Sequence, residues 1–209
     1  MIVTTWNNGN YNTSGAGYGV KISKKDRQKF FDKAWDSVVI GISDFKNSKE
    51  IHLHDTFWTT CSELRSAKIG KYLIDNGLGK WEKRKPYKLL LFPQVDNKFI
   101  LIISNPIELA TWAGGSTFKY DGSVKIGTRI YFGESGVVEI SKLQYQALLK
   151  EYTGMTIDVG TSRDKAPIHS LGHWLQKYVT KTAIASYVSN ILIQEGYAKK
   201  IEKSIIKFS

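Results

Sequence analysis

Residues 87–103 read YKLLLFPQVDNKFILII. Two largely apolar runs, 87–93 and 98–103, lie on either side of the turn-forming triplet Val95-Asp96-Asn97. Runs of this length are typical of β-strands and fall well short of the ~18–20 apolar residues that are needed to cross a bilayer. We therefore predict two strands joined by a hairpin turn, and we expect no membrane partner.

The rest of the first 140 residues has mostly strand-like patterns. Asn, Thr and Gly dominate residues 1–17, where Asn-Gly and Gly-x-Gly pieces indicate turns. Ser23 is a candidate N-cap for the helix that follows it. The other predicted elements are a strand at 18–22, a helix over Lys24–Trp35, strands at 37–42 and 50–54, a helix over 56–78, and weaker strands near 116–120, 123–132 and 136–140.

The last 70 residues have a different, more helical pattern. Ser141 is a candidate N-cap, and Gly154 is a candidate end for the helix after it. The predicted elements are a helix over 142–152, a strand at 156–159, helices over His169–Tyr178 and Lys181–Glu195, and a basic β-ribbon over 197–208. The sequence therefore predicts an α+β protein with a mainly β domain over 1–140 and a helical domain over 141–209.

Net charge favours a polyanionic partner. The chain has 30 Lys and Arg side chains against 19 Asp and Glu, a formal net charge of +11. Such an excess creates a positive field, and nucleic acid is the commonest polyanion that such a field attracts. A lysine-rich composition without functional meaning would give the same total, so charge alone leaves this alternative open.

Cysteine usage and the N-terminus bear on the compartment. Cys61 is the one cysteine, which excludes an internal disulfide framework and a zinc site built on several cysteines. The first ten residues lack the basic segment and apolar stretch of a secretory signal. We expect a cytoplasmic protein.

The C-terminal pattern consists of two helices, a short connection and a basic ribbon. Apolar residues share one helix face in 171–178 and again in 184–192, and Gly196 ends the second segment. This arrangement over 168–208 resembles a winged helix-turn-helix. A helical hairpin that only packs on the main domain is the alternative.

The winged-helix resemblance implies specific contacts with DNA. The helix that begins at Lys181 would be the recognition helix in the major groove. Its groove-facing residues would be Lys181, Thr182, Ser186 and Asn190. The ribbon residues suited to phosphate contact are Lys199, Lys200, Lys203 and Lys207.

A second basic cluster covers residues 63–88. It has eight basic and three acidic side chains, a local excess of five, and it includes Trp81. Interleaved basic and aromatic residues are typical of a nucleic-acid surface, although a solvated helix face has the same charge pattern. The basic residues are Arg65, Lys68, Lys71, Lys80, Lys83, Arg84, Lys85 and Lys88.

The order of elements between residues 15 and 105 is strand, helix, strand, strand, helix, strand, strand, beginning at GAGYGVKIS over 15–23. This order resembles the DNA-binding pseudobarrel of plant transcription factors and of the effector domains of some bacterial restriction enzymes. The resemblance implies two arms that grip the major groove, and a role in restriction, modified-base sensing or phage defence. The corresponding basic residues are Lys21, Lys24, Lys25 and Arg27 in one arm, and Lys83, Arg84 and Lys85 in the other.

Catalytic and metal-binding patterns are incomplete. His52 and His54 lie two residues apart on a predicted strand beside Asp55, but no further ligand completes a metal site. Glu134, Glu139 and Lys142 approximate the acidic and lysine positions of a restriction nuclease at the wrong spacing. The glycines form no phosphate loop. We therefore predict no metal site and no cofactor.

Taken together, these patterns predict a duplex DNA-binding protein that recognises a sequence or a modification. A nucleic-acid-processing enzyme, either a nuclease or a base-acting enzyme, and a protein-interaction module are the alternatives, and a homodimer is left open. The residues expected to contact DNA are Lys21, Lys24, Lys25, Arg27, Arg65, Lys68, Lys71, Trp81, Lys83, Arg84, Lys85, Arg163, Lys165, Lys181, Thr182, Ser186, Lys199, Lys200 and Lys203.

Overall fold

The computed structural model describes residues 1–209, and the chain packs as two compact units, Met1–Ser104 and Asn105–Ser209. Both units combine strands with helices, which confirms the predicted α+β class. The division falls after Ser104, whereas the sequence placed a boundary near residue 140. The reason is that the strands between residues 107 and 141 share one hydrophobic core with the C-terminal helices.

The first unit is a seven-stranded mixed sheet with three helices. Its strands are β1 (Ile2–Asn7), β2 (Tyr18–Lys21), β3 (Ser37–Ile42), β4 (Asp44–His52), β5 (Glu63–Arg65), β6 (Lys88–Pro93) and β7 (Lys98–Ile103). Its helices are α1 (Lys24–Phe30), α2 (Asp55–Thr59) and α3 (Ala67–Asp75). In space the strands follow the order β4-β3-β7-β6-β1-β2-β5, and the sheet curls into a nearly closed barrel. Only β3 and β7 are parallel neighbours.

The predicted hairpin forms the centre of this sheet. β6 and β7 pair antiparallel, with Leu91 opposite Leu101 and Leu89 opposite Ile103. Leu89, Leu91 and Leu101 are fully buried in the core of the unit. Burial of such a side chain stabilises the fold by about 1.5–3 kcal/mol, so this hairpin is a main source of the stability of the barrel.

The helix predicted over 56–78 is wrong, because β5 divides that segment. Leu64 is fully buried in the barrel core, and β5 adds to the sheet by pairing with β2. Ser66 then caps α3 by accepting a hydrogen bond from the backbone N–H of Lys68. The first helix also ends before Trp35, because the ring of Phe31 turns into the core and stacks on Phe99 at 4.6 Å.

The loop over residues 8–17 joins β1 and β2. Two glycines allow this loop to contact helix α3 closely. Gly15 adopts a left-handed conformation with φ of +81°, and its carbonyl oxygen faces Gly70 of α3. A Cβ atom placed on Gly70 would lie 2.1 Å from that oxygen. The absence of a side chain at Gly70 therefore allows the loop to lie directly on the helix.

The substitution Gly70→Ala tests this contact. Alanine in place of glycine normally stabilises a helix interior by about 1 kcal/mol. Here the added methyl group collides with the loop, and we expect a loss of about 1–3 kcal/mol in the free energy of unfolding. Urea denaturation measures the change. Lys71 is exposed on the same helix, so Lys71→Ala serves as the control and should change the free energy of unfolding by no more than about 0.5 kcal/mol. A stabilised Gly70→Ala variant would contradict the described packing.

The second unit contains a four-stranded antiparallel sheet and a three-stranded sheet. The first sheet consists of β8 (Ile107–Ala110), β9 (Thr117–Ser123), β10 (Gly127–Phe132) and β11 (Gly136–Ser141), in the spatial order β11-β10-β9-β8. The chain continues through α4 (Lys142–Tyr152), β12 (Thr156–Asp158), α5 (Leu171–Tyr178), α6 (Ala185–Gln194), β13 (Ala198–Lys200) and β14 (Ile205–Phe208). β14 lies between β12 and β13. No helix of the structure has both the length and the apolar character that a membrane span requires.

Trp112 ties the two sheets of the second unit together. Its indole N–H donates to the backbone carbonyl of Lys203 at 2.6 Å, and its backbone N–H donates to Ser186 Oγ on α6 at 2.9 Å. The ammonium group of Lys200 lies 4.4 Å from the centre of its ring and donates to its carbonyl. The ring is buried, so this one residue connects the β8–β9 hairpin to α6 through its backbone and to the β13–β14 hairpin through its side chain.

Removal of this ring should destabilise the second unit strongly. We expect Trp112→Ala to lower the free energy of unfolding by about 3–5 kcal/mol, because it leaves a large cavity and removes the hydrogen bond to the Lys203 carbonyl. Trp112→Phe keeps an aromatic ring and should lower the free energy of unfolding clearly less. Circular dichroism during urea denaturation provides the measurement, with the highly exposed Ile168→Ala as a neutral control. Wild-type stability of Trp112→Ala would disprove this role.

Candidate nucleic-acid interface

A row of polar side chains crosses the outward face of β6, β1 and β2. Thr4 pairs with Lys21 on one side and with Lys88 on the other. Directly paired residues of antiparallel strands project from the same face, and both lysines are exposed. The strand spacing places their Cα atoms about 10 Å apart. Neither lysine forms an ion pair, so both ammonium groups are available to an anion.

Arg65 lies one strand further across this face and is held in place from two sides. Its Nε and Nη2 donate to Glu63 Oε2 at 3.0 and 2.5 Å. Its guanidinium carbon lies 4.4 Å from the ring centre of Trp6, and Gly19, which pairs with both Trp6 and Arg65, has no side chain to separate them. The Arg65 side chain is nevertheless 55% exposed, whereas that of Glu63 is only 6% exposed. The structure thus presents an anchored arginine to solvent.

The 8–17 loop adds a second cation–π contact at the end of β1. The ammonium group of Lys80 lies 4.3 Å from the ring centre of Tyr11. Tyr11 is half-exposed, and the Asn and Ser side chains of the loop hydrogen-bond to nearby backbone N–H groups. The loop therefore brings an aromatic ring next to the strand that carries Trp6, and Lys80, from the segment between α3 and β6, contacts that ring.

We name Thr4, Trp6, Lys21, Arg65 and Lys88 the Trp6–Arg65 face. Sequence patterns identified Lys21 and Arg65 as contact residues, but Trp6 was assigned to a turn-rich segment. The missed signal is the alternation along β1, where side chains 2, 4 and 6 are more exposed than the buried side chains 3 and 5. Lys88 lay in the predicted basic cluster but was not among the expected contacts.

Most of the other expected contacts in the first unit are exposed but lie elsewhere. Lys24 and Lys25 are on α1, which follows β2, whereas Lys83 and Arg84 precede β6. Since β2 and β6 are both antiparallel to β1, these two pairs lie at opposite ends of the strands. The cations with a local partner are Lys68, which donates to Ser48 O, Lys71, which pairs with Asp75, and Lys85, which pairs with Glu82.

Two of the residues that were expected to contact DNA make contacts within the first unit instead. Arg27 is buried, and its guanidinium donates to the backbone carbonyl of Phe57, which ties α1 to α2. Trp81 is half-buried and packs edge-on against Tyr18 at 6.3 Å. The Tyr18 hydroxyl donates to Gly79 O at 2.8 Å, and burial raises the pKa of this phenol, so it remains a donor at neutral pH. Burial makes Arg27 unsuited to the expected contact, whereas Trp81 stays partly exposed and its contact with DNA remains a prediction.

In the second unit, α6 begins at Ala185 rather than at the predicted Lys181, and two of the four expected groove-facing residues form hydrogen bonds within the unit. Ser186 accepts a hydrogen bond from Trp112, and Asn190 donates to the carbonyl of Ala110 at 2.8 Å. This side of α6 therefore packs on the β8–β9 hairpin. The expected contacts of this unit that remain exposed are Arg163, Lys165, Lys181, Thr182, Lys199, Lys200 and Lys203.

A cavity of about 300 Å³ opens between β4 and β5, the two unpaired edges of the barrel. His52 and His54 line it, with ring centres 4.9 Å apart. Its two carboxylates are engaged, since Glu50 accepts from Ser37 Oγ at 2.5 Å and Glu63 accepts from Arg65. Two imidazoles and the free thiol of Cys61 therefore line a cavity whose two carboxylates are already hydrogen-bonded.

The nuclease-like residues also lie apart. Glu139 pairs with Arg129 across β10 and β11, Glu134 lies in the turn between these strands, and Lys142 begins α4. No group of three or more His, Cys, Asp or Glu side chains is placed to hold a metal ion. Glu134, Glu139 and Lys142 therefore do not form one cluster, and the enzyme alternative stays a hypothesis.

No known protein family, curated protein or solved structure matches this chain. A functional assignment therefore rests on the residues and their geometry. In the first unit the Trp6–Arg65 face is the feature that combines accessible cations, an ordered arginine and an aromatic ring.

Proposed function

We propose that this chain binds duplex DNA through the Trp6–Arg65 face. The observation that carries the proposal is Arg65, which Glu63 and Trp6 hold in one position while more than half of its side chain stays exposed. An arginine that is ordered before binding loses little conformational entropy when it contacts a phosphate. Lys21 and Lys88 supply further phosphate contacts across the same strands.

The cation–π contacts favour a duplex over a single strand. Single-strand binding relies on aromatic rings that stack with unpaired bases. Here Arg65 covers a face of the Trp6 ring and Lys80 covers a face of the Tyr11 ring. The rings position cations rather than offer an open stacking platform, which suits contact with the backbone of paired DNA.

Charge distribution supports the same assignment. Residues 1–104 contain 17 basic and 10 acidic side chains, a net charge of +7, whereas residues 105–209 contain 13 and 9, a net charge of +4. The first unit therefore carries the larger part of the positive field. Binding through this field should be strongly salt-dependent.

We also propose that the barrel-like sheet is a DNA-binding pseudobarrel. The order of its seven strands, with α1 before β3 and α3 before β6, supports this assignment. Lys24 and Lys25 would then extend the contact at one end of the strands, and Lys83 and Arg84 at the other. A six-residue strand spans about 20 Å, a length comparable to six base pairs.

We further propose that the elements from α4 to β14 form a winged helix. The order α4, β12, α5, α6, β13, β14 and the central place of β14 in the sheet support it. The turn over 201–204 would be the wing. Because α6 packs on the β8–β9 hairpin, any DNA contact from this unit would use the exposed side chains of Lys181, Lys199 and Lys203.

Salt-dependent binding tests the proposal. We expect the wild-type protein to bind a duplex in fluorescence anisotropy at about 50 mM salt and to lose affinity steeply by about 200 mM. Each lost phosphate contact reduces the slope of log K against log salt by about 0.9, so Lys21→Ala with Lys88→Ala should reduce it by about 2. Adding Arg65→Ala to this double variant should reduce the slope by about one more.

A matched double variant controls for net charge. Lys98 begins β7 and Lys150 lies on α4, and both are exposed outside the Trp6–Arg65 face. Lys98→Ala with Lys150→Ala removes the same charge and should leave the slope nearly unchanged. Equal losses in the two double variants would show that only total charge matters. No binding by the wild type at low salt would refute the proposal.

A further inference from the structure

A cavity of about 400 Å³ opens in the second unit between β10, the segment before α6, and the loop after β12. Its size falls within the range of pockets that hold small molecules. Its lining residues are Phe132, Arg163, Lys181, Thr182, Ala183 and Tyr187. None of these side chains is acidic, and the lining combines two cations with two aromatic rings.

The aromatic wall is held by the core of the unit. Phe132 and Tyr187 stack with ring centres 5.0 Å apart and an interplanar angle of 23°. Phe118, which is buried, supports Tyr187 from another direction at 4.9 Å. Phe132 and Tyr187 are half-buried, so their positions are fixed while part of their surface faces the cavity. A flat aromatic ligand would find a preformed apolar surface there.

The two cations of the cavity have no acidic partner. Arg163 and Lys181 are exposed and form no ion pair. The backbone beside Arg163 is tethered, because Gln176 Nε2 of α5 donates to its carbonyl at 2.8 Å. Two positive side chains that meet at one cavity without a carboxylate favour an anionic group with several oxygen acceptors, such as a phosphate.

We propose that this cavity binds a nucleoside phosphate, with the base against Tyr187 and Phe132 and the phosphate on Arg163 and Lys181. The proposal concerns a site separate from the Trp6–Arg65 face and does not depend on DNA binding there. A free nucleotide and the phosphorylated end of a nucleic-acid strand share the required chemistry. The hydroxyl of Thr182 adds a hydrogen-bonding group at the same cavity.

Isothermal titration calorimetry with AMP tests the site. We expect measurable binding of AMP, and weaker binding of both adenosine and inorganic phosphate, because each lacks one half of the recognised chemistry. Arg163→Ala and Lys181→Ala should each weaken AMP binding about tenfold through loss of a charged hydrogen bond. Lys150→Ala removes one charge from an exposed side chain of α4 outside the lining and should leave the affinity unchanged.

A 5′-phosphorylated oligonucleotide in the same experiment distinguishes the two sources of the ligand. If the oligonucleotide binds more tightly than AMP, and Arg163→Ala weakens both by the same factor, the ligand is a strand end. If AMP binds more tightly than the oligonucleotide, the ligand is a free nucleotide. Absence of AMP and oligonucleotide binding by the wild type would overturn the proposal. So would equal affinity for AMP and inorganic phosphate, or full affinity in both cavity variants. Arg65→Ala should bind AMP normally, which separates this result from the test of DNA binding.

Discussion

The pairing of β1 with both β2 and β6 is the constraint on which the first unit depends. One half of the sheet is β4-β3-β7-β6 and the other is β2-β5, and only β1 joins them. Its register sets Thr4 opposite Lys21 and Lys88, and Trp6 opposite Gly19. A shift by one residue would turn Trp6 inward and Val3 outward. The cationic face is therefore a direct consequence of how the first strand pairs, and the barrel core keeps that register fixed.

The two units offer their cations in different ways. In the first unit an outward sheet face carries two exposed lysines and an arginine that contacts Trp6, and we propose an extended polyanion as its partner. In the second unit the exposed cations include two at the mouth of a cavity with an aromatic wall, which suits a compact ligand. Helix α6, which corresponds to the recognition helix of a winged-helix DNA-binding protein, packs on the β8–β9 hairpin through Ser186 and Asn190.

The sequence was informative wherever one local pattern dominated. The apolar runs within 87–103 predicted the central hairpin, and the capping residue Ser141 predicted the start of α4, where Gln144 completes a capping box. Predictions from the sequence were wrong where contacts between residues far apart in the chain determine the local structure. The three residues of β5 lie within a helix-like pattern and become a strand only because β2 offers them a partner. Arg27 has the same side chain as a surface cation, and its burial depends on the position of Phe57.

The most direct test of the account is to observe the Trp6–Arg65 face while DNA is added. In NMR spectra recorded at about 50 mM salt, a duplex should shift or broaden the indole N–H signal of Trp6 and the Nε–H signal of Arg65 together. The indole N–H of Trp112, which is hydrogen-bonded to Lys203 O, should change little and serve as an internal reference. Unchanged Trp6 and Arg65 signals at saturating duplex would contradict the account.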